Sequence, residues 1–187
     1  MKDLETENLI IRKFKLEDAE DAYKNLASEE RLSECLGYRI HENVEETRMM
    51  IRSYMNEYDM NELVWAIEEK KTRTVVGYIN ALEYSKVNKL CNIKFGLALD
   101  LISEGLMEEA LNKVLEYLFE NEGFEIITTK FYDGCKDFTK IKSEILENVG
   151  MKKEAVLRNR KINEKTKKPE SEIVYSILKE EFKNTKK

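Results

Sequence analysis

Only one proline (Pro169), one tryptophan (Trp65), one histidine (His41) and 7 glycines occur among the 187 residues. So little Pro and Gly excludes collagen-like repeats and Pro/Gly-rich linkers. The three cysteines, Cys35, Cys91 and Cys135, are odd in number, widely spaced and free of any C-x-x-C pair. That pattern argues against a disulfide framework or a zinc site and points to a reducing, cytoplasmic compartment. No apolar run reaches bilayer-spanning length, and Met1-Lys2-Asp3-Leu4-Glu5 has no signal-like core, so no membrane partner is expected. An excess of one charge is also missing: 32 Lys and Arg are interspersed with 37 Asp and Glu, for a net charge of -5. Without a basic face, direct binding of nucleic acid is not expected. The Lys-rich segment Lys161 to Lys168 is short and reads as a solvated hairpin tip.

What the chain does have is a globular composition, 42% hydrophobic and 37% charged. Its length suffices to bury roughly 70% of the surface the unfolded chain would expose. One domain is expected over residues 1–182, with a polar, frayed tail over 183–187. Leu9 to Phe14 reads as a strand. Leu16-Glu17-Asp18-Ala19 opens a helix with Ala19, Ala22, Tyr23 and Leu26 on one stripe, and a second helix runs from Val44 to Tyr58. Strands follow at Leu63 to Ile67, Thr74 to Leu82 and Leu90 to Leu97, joined by polar turns. A long helix from Glu104 to Asn121 ends near Gly123. Phe124 to Phe131 is a strand, Asp137 caps a helix stopped by Gly150, and Ala155 to Ile162 with Glu172 to Leu178 form a closing hairpin. The order gives a mixed α/β sheet of about seven strands with helices on both faces.

The stretch Ile93 to Ala110 carries the most chemistry. A buried strand, a short turn and a helix start converge several backbone N–H groups where an anion can bind. Two readings stand open. Gly105 lets a backbone approach a phosphate, yet Ser103 is a good N-cap, and Glu104, Glu108 and Glu109 complement the dipole without any ligand. Elsewhere, Glu83 and Glu68 lie near strand ends where a carboxylate can serve as a base through a water. Cys135 falls at the end of a strand as a candidate nucleophile or a small buried residue. His41 titrates near neutrality.

Several short motifs fall in a particular order. Leu4-Glu5-Thr6-Glu7-Asn8-Leu9-Ile10-Ile11-Arg12 opens the chain, and Leu16-Glu17-Asp18-Ala19 follows. Trp65-Ala66-Ile67 and Val76-Gly77 sit on the second and third strands, Gly150-Met151 follows the last helix, and Tyr175-Ser176-Ile177-Leu178 lies on the last strand. In this order they resemble the GNAT acetyltransferase superfamily, and within it the RimJ/RimL branch that acetylates N-terminal amines of ribosomal proteins. The resemblance implies a GNAT-like acyl-CoA N-acyltransferase fold and acetyl-CoA as co-substrate. It implies transfer of the acetyl group to an amine, either a peptide N-terminus or a small molecule, by direct attack while a base takes the proton. It places the pantetheine arm on the strand backbone of Phe95 to Leu97, with a backbone N–H near Leu97 on the thioester carbonyl. The diphosphate falls on the N–H groups of Ser103, Glu104, Gly105, Leu106 and Met107. The acceptor site falls on the first helices and the final hairpin, with the loop of His41 beside it. Members of the family often pair as homodimers, and the sequence leaves the oligomeric state open.

The chain departs from the family pattern at three places. The family loop, Gln/Arg-x-x-Gly-x-Gly/Ala, is degenerate here as Asp100, Ser103 and Gly105, with one charge reversed. A left-handed backbone at Ser103 would add about 1–2 kcal/mol of strain. The branch's N-P-A-S aligns Thr139 and Lys142 when counted back from Gly150, but Cys135 when counted forward, as though about one helical turn were inserted. Asn92 replaces the usual strand-four Glu, and Leu146 stands where many members carry a Tyr. The catalytic candidates are therefore Asn92, Cys135 and Glu83; Thr139 and Lys142 join the expected acetyl-CoA contacts. The second expectation, from the same departures, is a non-catalytic GNAT-like binding or regulatory module that has lost acetyl-CoA.

Overall fold

β-branched and aromatic runs set the strands, and the polar turns between them set the order. The computed structural model describes residues 1–57 and 63–185. In chain order the elements begin with β1 (Leu4–Glu5) and β2 (Leu9–Arg12). A helical stretch follows, with a 3-10 turn at Leu16–Asp18, α1 (Ala19–Ala22) and a π turn at Tyr23–Ala27. Then come α2 (Glu30–Leu36), α3 (Val44–Glu57), β3 (Leu63–Glu69), β4 (Thr74–Ser85) and β5 (Leu90–Leu97). A 3-10 turn at Leu99–Leu101 leads to α4 (Leu106–Glu120), β6 (Ile126–Tyr132) and α5 (Lys136–Asn148). The chain closes with β7 (Lys152–Ile162), β8 (Pro169–Leu178) and α6 (Lys179–Thr185).

The strands hydrogen-bond in the order β1-β2-β3-β4-β5-β6-β8-β7, an eight-stranded mixed sheet. β5 and β6 are parallel, joined through α4, and their register covers Leu90↔Ile126, Cys91↔Ile127 and Asn92↔Thr128. The expected mixed α/β class is therefore the observed one; the added strand is the two-residue β1, too short to leave a period in the sequence.

Two compact units divide the chain. The first combines Met1–Leu82 with Lys94–Val114. Its core includes Phe14, Ala19, Ala22, Ile51, Val64 and Ala66, with Phe14 set against Tyr54 at 5.7 Å between ring centroids. Arg12 ties β2 to its neighbours: it donates to both carboxylate oxygens of Asp18 at 2.8 Å and, through Nε, to Glu68 Oε2 at 2.8 Å. All three side chains are buried. The second unit combines Glu83–Ile93 with Leu115–Lys187. In it Tyr175 of β8 stacks on Phe131 of β6 and its hydroxyl donates to Glu147 of α5.

Three local expectations need correction. Phe14 is not part of a strand; β2 stops at Arg12 and Phe14 turns into the core. α2 was not expected, because Leu32 is its one buried residue and leaves no apolar stripe; Gly37 closes it in a left-handed conformation. The C-terminal stretch is helical to Thr185 rather than frayed, because Phe182 docks on Phe119 at 5.4 Å. Tyr58, the expected end of the second helix, lies outside the described residues.

Candidate active site

Gly105, at φ +73°, turns the chain into α4, and its carbonyl accepts the Glu109 N–H at 3.1 Å. Gly105 is thus the N-cap of α4, and the expected cap, Ser103, is not. Ser103 lies in the turns that follow Leu99–Leu101, where the Glu104 N–H donates to the Leu101 carbonyl at 3.1 Å. One of the five amides expected for the diphosphate is therefore already engaged. Ser103 is absent from the positive-φ residues, so the strain expected there does not arise. Asp100, Ser103, Glu104 and Gly105 are exposed, whereas the side chains of Leu106 and Met107 are buried. Glu109, one turn in, faces the N-terminal segment and accepts from the Asn8 N–H at 2.8 Å and from Asn8 Nδ2 at 2.9 Å. Burial alone would raise its carboxyl, but these bonds, with help from Thr6, hold it below the usual carboxylate range.

The β5 backbone has a defined polarity. The Ala98 N–H donates to Val76 O at 2.8 Å, and the Gly96 carbonyl faces Gly77 so closely that a Cβ on Gly77 would come within 2.7 Å of it. Polar groups of successive strand residues alternate in direction. Leu97 and Phe95 therefore aim theirs at the edge away from β4.

Beside this backbone lies a pocket of about 240 Å³, wholly within the first unit. Phe14, Tyr38, Tyr54 and Tyr78 give it aromatic walls. A Cβ on Gly96 would come within 2.7 Å of Tyr78 and 3.0 Å of Leu36, both lining residues, so the pocket abuts β5 one residue before Leu97. His41, Asn80 and Lys94 supply polar groups. His41 Nδ1 is 2.8 Å from the Thr47 hydroxyl, and burial lowers its pKa, so the ring is neutral at pH 7. Asn80 is 8% exposed, and its Oδ1 has no hydrogen-bond partner among the described residues. Tyr38 donates to Leu26 O at 2.5 Å, and burial raises the phenols of Tyr38 and Tyr78.

Of the remaining sequence candidates, all but Glu68 lie in the second unit. Asn92 is buried and donates to Glu83 at 3.1 Å, while exposed Glu83 also pairs with Lys130 at 3.3 Å. Cys135 is the N-cap of α5, the place expected for Asp137, which lies inside the first turn. Its carbonyl accepts the Thr139 N–H at 2.8 Å, so the two motif counts land on residues one helical turn apart. Lys142 is buried with its ammonium 4.9 Å from the centre of the Phe131 ring. Against the expectation of a free thiol, Cys135 is disulfide-bonded, which leaves it no thiolate to act as a nucleophile. Cys91 is free and buried, and burial pushes its thiol up to about 12. Glu68, one of the two strand-end carboxylates that could serve as a base, is buried and committed to Arg12 and, at 3.2 Å, to Arg73.

Sequence reasoning missed Asn80, Tyr78 and Lys94. The available signal was the alternation of Tyr78, Asn80 and Leu82 along β4, which puts an amide on an otherwise apolar face.

The fold is that of the GNAT acetyltransferases, and the sequence agrees: the family model described as an acetyltransferase (GNAT) domain matches residues 8–151, so the chain belongs to that family. Among solved structures it is similar to a GNAT-family acetyltransferase from Bacillus anthracis, at 19% identity and TM-score 0.80, covering 96% of this chain and 100% of that one. It is similar to a ribosomal-protein-S5-alanine acetyltransferase from Vibrio fischeri, at 14% identity and TM-score 0.81, covering 97% and 99%. A spermidine N-acetyltransferase from Vibrio cholerae, in complex with CoA and spermine, matches at 14% identity and TM-score 0.76, covering 96% and 100%. No curated protein matches the sequence significantly. No helix among the described residues is long and apolar enough to cross a membrane.

Proposed function

We propose that the protein transfers the acetyl group of acetyl-CoA to an amine seated in the pocket beside β5. The observation that carries this reading is the contact at Gly96, which sets the pocket against the strand that aims the Leu97 N–H and carbonyl at its edge away from β4. The residues present fit the backbone part of acetyl-CoA recognition: an extended arm with amides pairs with main chain at Leu97, and the α4 start offers its remaining amides to the diphosphate. Charge fits less well, since residues 99–107 include Asp100 and Glu104 and no Lys or Arg. Bound acetyl-CoA would supply the acetyl group as a thioester.

The chain's own part is to desolvate the amine, hold it and take its proton. His41 is the proton acceptor in this reading: it is neutral, lines the pocket and, when Nδ1–H donates to Thr47, keeps the Nε2 lone pair available. The specific observation favouring a second reading, a binding module without acetyl-CoA, is the acidic loop with its engaged Glu104 amide.

Calorimetric titration with acetyl-CoA separates the two. Binding is expected, and Asp100→Arg should tighten it by roughly tenfold or more, because a charge-assisted phosphate contact is worth about 1.5–3 kcal/mol. No heat at millimolar acetyl-CoA removes the transferase reading in favour of the second.

A further inference from the structure

The pocket's chemistry restricts the kind of amine it can take. At about 240 Å³ it is smaller than the ~300–1,000 Å³ typical of drug-sized sites, so the part of a ligand held inside it is one compact group. Its walls are aromatic and aliphatic, and among the described residues no Asp or Glu lines it. The Tyr38 and Tyr78 phenols stay protonated, and His41 stays neutral, each because of burial. The one formally charged lining group is Lys94, an exposed cation on β5.

A polycation would leave water for apolar walls and a like charge, with no carboxylate to compensate. Asn80 Oδ1, by contrast, is a buried acceptor without a donor. Such a group is costly to leave unmade, and an amine N–H is the donor it lacks.

We propose that this pocket selects a primary amine bearing one aromatic or branched apolar group and no second positive charge, with Asn80 Oδ1 accepting an N–H from it. This names the acceptor class for the acetyl transfer proposed above and rests on that reading. Asn80 positions the nitrogen, the aromatic walls hold the apolar group, and Lys94 excludes di- and polyamines. A free arylalkylamine and the N-terminal residue of a peptide share this chemistry.

The test is direct binding to the full chain, read by calorimetry with and without saturating CoA, using phenethylamine, the peptide Phe-Gly-Gly and spermidine as probes. Phenethylamine or the peptide should bind at least tenfold more tightly than spermidine, and the tighter of the two identifies the source. Asn80→Leu should weaken that probe by roughly tenfold while leaving the thermal midpoint unchanged or higher, since it removes an unsatisfied polar atom. Lys94→Glu, at an exposed position, should leave phenethylamine within about threefold and strengthen spermidine by roughly tenfold, as expected for reversing one charge. Spermidine binding as tightly as the aromatic probes, or Asn80→Leu retaining full affinity, overturns the proposal. Because turnover is not the readout, loss of acetyl-CoA binding with phenethylamine binding intact would remove the transferase reading and leave the pocket's selectivity standing.

Discussion

At the residue scale, His41 carries the clearest pH signature. Burial lowers its pKa below the ordinary value near 6.5, with Arg39 adding to the shift and Glu46 opposing it. A group depressed in the folded state resists protonation there, while the unfolded chain takes the proton readily. Stability from the neutral ring is therefore present above pH 6.5 and is lost as pH falls through the folded value. Urea melts of the native chain should show a declining midpoint below pH 6.5, and His41→Gln should flatten that part of the profile. The position of His41 was legible as a loop near the acceptor site; its pocket was not, because the walls come from residues as distant in sequence as Phe14 and Lys94.

Elements show what periodicity can and cannot convey. β3, β4 and β5 stand out as apolar, β-branched and aromatic runs bounded by polar turns, and α4 by apolar residues repeating at helix period. α2 does not, having one buried side chain, and the starts of α4 and α5 were misassigned because Ser103 and Asp137 are better cap residues than Gly105 and Cys135. Backbone conformation overrode side-chain preference at both ends. The motif Val76-Gly77 was recognised as a resemblance, but its physical reason appears only in three dimensions.

Two glycines serve these elements by different physics. Gly77 lets β4 and β5 approach, since a Cβ would meet the Gly96 carbonyl at 2.7 Å, whereas Gly105 has open space and needs only its positive φ. Gly77→Ala is expected to cost about 1–3 kcal/mol through overpacking, and Gly105→Ala about 1–2 kcal/mol through the left-handed backbone. Denaturant melts measure both, and crystal structures should show strand displacement in the first alone.

At the scale of the whole molecule, one buried charge cluster ties β2 to β3 and to the turn at Leu16–Asp18. Arg12 gathers Asp18 and Glu68, and Asp18 in turn accepts the Lys15 N–H at 2.7 Å. Removing one partner strands a buried charge, so Arg12→Ala should destabilise the fold by about 3–5 kcal/mol. Chemical denaturation checks this, and a loss below about 1 kcal/mol would mean that water reaches the cluster freely. From sequence, Arg12 showed only as part of an opening motif and Glu68 as a strand-end acid; their partnership across β2 and β3 required the register Ile10↔Glu68.

The direction of the Leu97 peptide groups has an evolutionary corollary. Every residue type except proline offers an identical N–H and carbonyl at that point, so nineteen of the twenty codon meanings are equivalent for any partner that recognises main chain alone. Selection on such recognition leaves almost no imprint in an amino-acid string. A lineage under such selection can rewrite the side chains of a strand like this one while its main chain goes on offering the same partners.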